Sequence, residues 1–334
     1  MGSEMCIRDR IQWMRQYNEV AEASEQLRFH GFDMQAPVLS MDSVVAFLET
    51  VDPDAAARAS NQYDCFRPYQ VINEWGLSFD AQFEYWELSS DVQAECRDRV
   101  QAVHDLLSAN QAAYEGASTP ETYGSALQEA RVVVQAEHMT TALYDHRVRS
   151  AYMAENILWL LDRMDQNDKV IVWSHNFSVA RTPDRVGSYL RDTLGADYVN
   201  LALHFGQAAF NARVVEGDGI SLVPRRFEEG PPPTAAYEHF FNLAAIPTFL
   251  LDLAEIRTDS DQTAWLNGPR TIFSIGAVYD PSDVLYRFES VNLLNAFDAI
   301  IFVDRGTEST LLPFPMRDGC ASIAEPGLLC GDGR

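Results

Sequence analysis

The residues best placed to do chemistry lie in Lys169–Arg191, KVIVWSHNFSVARTPDRVGSYLR. An apolar run, Val170, Ile171, Val172 and Trp173, stops at three polar residues, Ser174, His175 and Asn176. A run that short and mostly β-branched reads as an inner strand buried on both faces. Ligands in open α/β sheets collect at the carboxyl ends of strands, so His175 falls where a proton would be moved. An imidazole of near-neutral pKa takes a proton from water, while cationic or amide donors steady a developing oxyanion. The alternative is a hydrogen-bonded core histidine followed by a turn asparagine. Other routes find no support. There is no G-x-S-x-G elbow, no H-E-x-x-H and no Gly-rich phosphate loop, and the seven histidines are scattered. No cofactor and no dedicated metal site are expected.

The elements that must hold this stretch follow from periodicity. Ahead of it, Met153, Ile157, Leu160, Leu161 and Met164 form one stripe of a helix, with Arg149 and Asn156 close to one face. Behind it, Thr182 is a predicted cap, Pro183 the first helical residue and Gly195 the stop, with Val186, Tyr189, Leu190 and Leu194 facing inward. Strands are predicted over 198–203, 246–251, 271–278 and 299–303, with a shorter one over 27–32. Ile171, Val172, Leu201, Leu250, Ile275 and Ile301 should be nearly fully buried. Helices are predicted over about 11–22 and from Met41, and 80–142 is mostly helical, broken at Ser118-Thr119-Pro120. Strands alternating with helices predict an α/β fold: a central, mainly parallel sheet flanked by helices, with an inserted helical subdomain over about 80–146.

The chain of 334 residues carries 49 Asp and Glu against 25 Lys and Arg, a net charge of −24. That field disfavours nucleic acid and anionic membrane surfaces as partners. The most apolar stretch, 240–251, is interrupted and too short to span a bilayer. None of the five cysteines forms a C-x-x-C pair; Cys320 and Cys330 are either a disulfide of an exported protein or free thiols. Residues 1–10, MGSEMCIRDR, read as a non-native leader rather than a signal peptide, residues 11–306 as one domain and 307–334 as a loose tail. The compartment stays open between cytoplasm and export, and so does the oligomeric state.

Several blocks, in order, resemble the erythromycin esterase family. Trp173-Ser174-His175-Asn176 with Val179-Ala180 is similar to its W-A-H-N-x-H-V-A, and Arg149 to Asn156 (RSAYMAEN) to its R-D-R-x-M-A-E-N. Phe205-Gly206 to Phe210 matches F-G-x-x-x-F, and Gly31 to Gln35, Ile275 to Pro281 and Phe297 to Asp304 match further blocks. Trp13 to Asn18 resembles its W-M-R-x-Y-N block, while the family's upstream H-G-T-x-E is not present, so the expectation is a member truncated at its amino end.

The resemblance implies an erythromycin esterase-like α/β fold with added helices, and metal-independent hydrolysis of a small carboxylic ester or lactone by histidine-activated water. His175 would be the base and Arg149 a charge partner or carbonyl polariser. Asn176, Asp33, Glu155, Asn156 and His204 would bind substrate or support the site. Four of these, His175, Asn176, Arg149 and Asp33, are expected to line one cleft. Departures weigh against this reading: Ser178 stands where the family has its second histidine, and Ala151 replaces an arginine. The rival is a non-catalytic relative that binds a small ligand or a polysaccharide-assembly partner. Macrolides are one substrate among many in so diverse a family.

Overall fold

A computed structural model describes residues 5–311, apart from 74–75, 78, 166–167, 217–218, 222, 257–264, 267, 284 and 286. Cys320 and Cys330 lie outside the described residues. The amino-terminal half is helical: α1 (Met5–Asn18), α2 (Val38–Val51), α3 (Pro53–Tyr63), α4 (Phe79–Trp86), α5 (Ser90–Ala109), α6 (Gln111–Ala117), α7 (Pro120–Thr141) and α8 (His146–Asp162). A two-residue pair, β1 (Ile72–Asn73) with β2 (Gly76–Leu77), interrupts them. Local chemistry sets the boundaries. Asp52 accepts from the Ala55 N–H at 2.9 Å at the start of α3, with Pro53 in its first turn. Thr119 does the same for Thr122 ahead of Pro120, which produces the predicted break before α7.

Met41, Val44 and Leu48 on α2, Val100, Val103 and Leu107 on α5, and Ala130 and Val133 on α7 are buried in one core. The β-branched run Val132–Val134 is therefore helical, as its surrounding periodicity predicts. A disulfide between Cys65 and Cys96 fastens the end of α3 to α5. Nothing in the cysteine spacing announced that bond.

The second half carries α9 (Asn176–Val179), α10 (Val186–Leu194), β3 (Leu201–Glu216), β4 (Gly219–Ile220), β5 (Arg225–Glu229), α11 (Tyr237–Leu243), β6 (Thr248–Asp252), α12 (Leu253–Ile256), β7 (Arg270–Phe273), β8 (Val278–Tyr279), β9 (Phe288–Val291), α13 (Leu293–Ala296) and β10 (Ala299–Gly306). β10 pairs parallel to β3, with Ile301 opposite Leu203, and antiparallel to β6, with Ile301 opposite Leu250. The long β3 goes on to pair β5 and β4 antiparallel and β8 parallel. β7 and β9 form a separate antiparallel pair. The α/β class holds, and the sheet is mixed rather than mainly parallel.

Several expectations need correction. Val170–Trp173 is not a strand: it pairs with no other strand among the described residues, and Ile171 is 91% exposed. Residues 27–32 are irregular, and Asn18 rather than a sheet binds them, its side chain bonding both the N–H and the C=O of Leu27 at 2.7 Å. The helix after Thr182 starts only at Val186, because Asp184 sits at φ 63°, outside helical space. Residues 271–278 break after Phe273, and β5 and β9 were not anticipated.

The sheet also buries the opposite face from the one expected. Ala202, Ile300 and Phe302 are buried against Tyr237 and Phe241 of α11 and Leu293 and Ala296 of α13. Leu203 and Leu250 are 62% and 61% exposed, Leu201 is exposed, and Val172, Ile275 and Ile301 are half-buried. Both faces of these strands are apolar, so alternation could not say which one the helices cover. Phe302→Ala should accordingly cost about 3–5 kcal/mol, whereas Leu250→Ser should stay within about 0.5 kcal/mol. Urea unfolding of the two variants checks the orientation; equal losses would contradict it.

Candidate active site

With Val170–Trp173 outside the sheet, the His175 segment is held from its other end. Arg181 pairs with Asp298 and donates to the carbonyls of Phe297 at 2.6 Å and Asn295 at 3.2 Å. Asp298 accepts from the Asn200 N–H at 3.0 Å, and the Asn200 side chain donates to Val179 at 2.7 Å and Ala296 at 2.8 Å. This knot ties α9 to the first residues of β3 and β10. Asn176 completes the attachment by donating to the Leu203 C=O at 2.7 Å and accepting its N–H at 3.0 Å, as a neighbouring strand would.

His175 is engaged through both ring nitrogens. Nδ1 accepts the Phe177 N–H at 3.2 Å, so Nε2 carries the proton and donates to the Ile275 carbonyl at 3.0 Å. Desolvation of the ring by the packed chain pushes its pKa below the ordinary histidine value; the Ile275 bond opposes this and nearby His204 reinforces it. Part of the residue still faces solvent.

A cleft opens beside this segment, lined among others by Asn176, Thr182, His204, Ser274 and Glu289. Its cavity volume is about 20 Å³, room for one water molecule. His204 is buried, and its Nδ1 lies 3.3 Å from Oε1 of the fully buried Glu238. Glu238 Oε1 also accepts the Phe273 N–H at 2.8 Å. Burial pushes the Glu289 carboxyl upward, against the charge of Arg185 and a 3.3 Å bond from Ser274. Arg185 in turn stacks over the Phe177 ring.

Close approach of α11 to β3 makes the His204–Glu238 contact. Glu238 and Asn242, four apart, face His204 and Gly206, two apart on the strand. A Cβ on Gly206 would lie 2.3 Å from the Asn242 Oδ1.

The other predicted residues gather elsewhere. Arg149 pairs with Asp33 and reaches Gln35 at 3.0 Å. Glu155 accepts from Arg131 at 2.7 Å and Gln135 at 3.2 Å. Buried Asn156 bonds Gln128, Gln135 and the Phe32 carbonyl. Among the described residues, no hydrogen bond or ion pair joins this group to His175, Asn176 or His204. Nor do three His, Cys, Asp or Glu side chains there gather as metal ligands. Glu238 and Glu289 were not anticipated. The available signal was an acid set among aromatics in Tyr237-Glu238-His239-Phe240-Phe241, and one following an aromatic in Phe288-Glu289-Ser290-Val291.

A mixed sheet faced by a helical layer, with a histidine loop tied to its strand starts, defines an α/β protein. The erythromycin esterase family profile matches residues 4–306. The chain belongs to that family. It is 21% identical over 323 residues to "Putative hydrolase YbfO" of Bacillus subtilis (strain 168), covering 88% of this chain and 67% of that protein. It is 23% identical over 214 residues to an Escherichia coli erythromycin esterase type II, covering 57% of this chain. The chain thus spans only half (50%) of that relative's length. A solved structure described as a succinoglycan biosynthesis protein superposes with a TM-score of 0.74 at 19% identity, over 92% of this chain and 72% of that one. At such identity the likeness is one of fold.

Two outcomes follow from this geometry. Arg181→Ala removes the charged partner of the part-buried Asp298 together with the bonds to main-chain carbonyls, and should cost about 1.5–3 kcal/mol, measurable by urea unfolding. His175 has a lowered folded pKa, so its contribution is complete above the ordinary value of 6.5 and is lost as pH falls. Wild type should therefore lose more stability between about pH 7.5 and about pH 5 than His175→Gln does. Parallel losses in unfolding midpoints would refute it.

Proposed function

We propose that the protein hydrolyses a carboxylic ester or lactone by histidine-activated water, without a metal. The observation that carries this reading is the family's His175–Asn176 segment, fixed on β3 at the edge of a cleft that holds acid–base side chains. The small-molecule substrate class comes from the same family membership. Arg149, bound to Asp33 and Gln35, fits a positioning role better than contact with a carbonyl. Glu155 and Asn156 likewise support α8 and α7 rather than the cleft.

A second reading has a specific observation behind it. With both ring nitrogens of His175 bonded to main chain, the ring has no free lone pair for a water proton. That favours a relative that binds its ligand without turning it over. A solved structure of similar fold is named for succinoglycan biosynthesis rather than hydrolysis.

Assays of p-nitrophenyl butyrate and of a macrolide lactone separate the two. We expect turnover by the wild-type protein and its loss in His175→Ala. Saturable binding without turnover would favour the binder.

A further inference from the structure

We propose that His204, backed by Glu238, takes the proton from the attacking water; this deepens the hydrolase reading and rests on it. Both side chains are buried, at 4% and 0% exposure. Burying a carboxyl and an imidazole costs several kcal/mol unless each finds partners. Here the pairing is incomplete. Glu238 holds Nδ1 of His204 at 3.3 Å, while Nε2 on the other side of the ring has no partner. Because Nδ1 is taken, Nε2 is the lone pair left for the cleft that His204 lines. Thr182 lines the same cleft, and its hydroxyl is likewise buried and unbonded. A cavity of about 20 Å³ between such groups suits one water with two polar neighbours. Phe297 lies edge-on to the His204 ring, with centroids 6.4 Å apart.

The contrast with His175 decides the assignment, since both nitrogens of that ring are bonded to main chain. In the step proposed, a water proton passes to His204 Nε2 as the water oxygen bonds to the carbonyl carbon. Glu238 steadies the imidazolium through Nδ1–H. Collapse of the tetrahedral intermediate breaks the bond from carbonyl carbon to alkoxy oxygen. The proton leaves with that oxygen, giving one acid and one alcohol. Glu289, held by the Ser274 hydroxyl, lines the same cleft.

The test measures kcat and KM for p-nitrophenyl butyrate against pH, with circular dichroism melts alongside. His204→Asn should lower kcat by about 10²-fold or more with little change in KM. Glu238→Gln retains an oxygen for the Phe273 N–H and so tests the pair even where His204→Asn fails to fold. It should lower kcat and move the acid limb of the kcat/KM profile to lower pH, because the charge favouring the imidazolium is gone. Folded Glu238→Gln with wild-type kcat and an unmoved profile would overturn the proposal, leaving the hydrolase reading intact if His175→Ala is inactive. No turnover by the wild-type protein would overturn the hydrolase reading, and this proposal with it.

Discussion

The carboxyl-terminal half depends on one part-buried ion pair, Arg181 with Asp298. Its members come from chain segments more than a hundred residues apart, and Asn200 from a third lies between them. Two charges out of water are costly, and their attraction repays the cost only when the remaining donors and acceptors are used. Here they are used: Arg181 also bonds main-chain carbonyls just before β10, and Asp298 also holds the start of β3. The Asp298 carbonyl accepts the Leu253 N–H, which brings the end of β6 to the same point. Three strands thus begin or end at one electrostatic centre, and the His175 segment hangs from it. Its position does not require Val170–Trp173 to be in the sheet.

The helical half solves a different problem. Its core is apolar, yet α7 and α8 meet through amides: Gln128 and Gln135 both bond Asn156, and Asn156 reaches the Phe32 carbonyl. Paired amides at a buried contact fix the register of two helices, because a shift of one turn would leave each of them unbonded. The Arg149–Asp33 pair extends that logic to the irregular chain before α2. The block RSAYMAEN therefore acts as a fastener of α8 in this fold. Its residues meet partners in the helical half, while the cleft takes its side chains from elsewhere.

What the sequence disclosed follows from the range of each interaction. Helices were legible because their causes are local: stripes such as Met153 and Ile157, and caps such as Thr119 before Pro120. Strand positions were legible as apolar runs, but a strand exists only where a partner binds it. Val170–Trp173 has the composition of a strand and no partner among the described residues. The choice of face was hidden for the same reason. Leu201, Leu203 and Leu250 look more like core than Ala202 does, and only the placement of α11 and α13 decides otherwise. Within the site, His175 and Asn176 stood out as polar punctuation after an apolar run. The bond from His175 to Ile275, a hundred residues away, could not be read locally, and it changes what the ring can do.

Gly206 links fold to chemistry most directly. It belongs to the Phe205-Gly206 block that marks the family, and its φ imposes no glycine. The requirement is space. α11 lies close enough to β3 that Asn242 occupies the volume a Cβ on residue 206 would need. One turn earlier, the same close approach delivers Glu238 to His204, two residues earlier on the strand. A side chain at 206 would have to displace the Asn242 side chain from its place against the strand. The missing Cβ leaves room for the Asn242 side chain, and one turn earlier the same helix brings a carboxyl against the His204 imidazole and the Phe273 N–H.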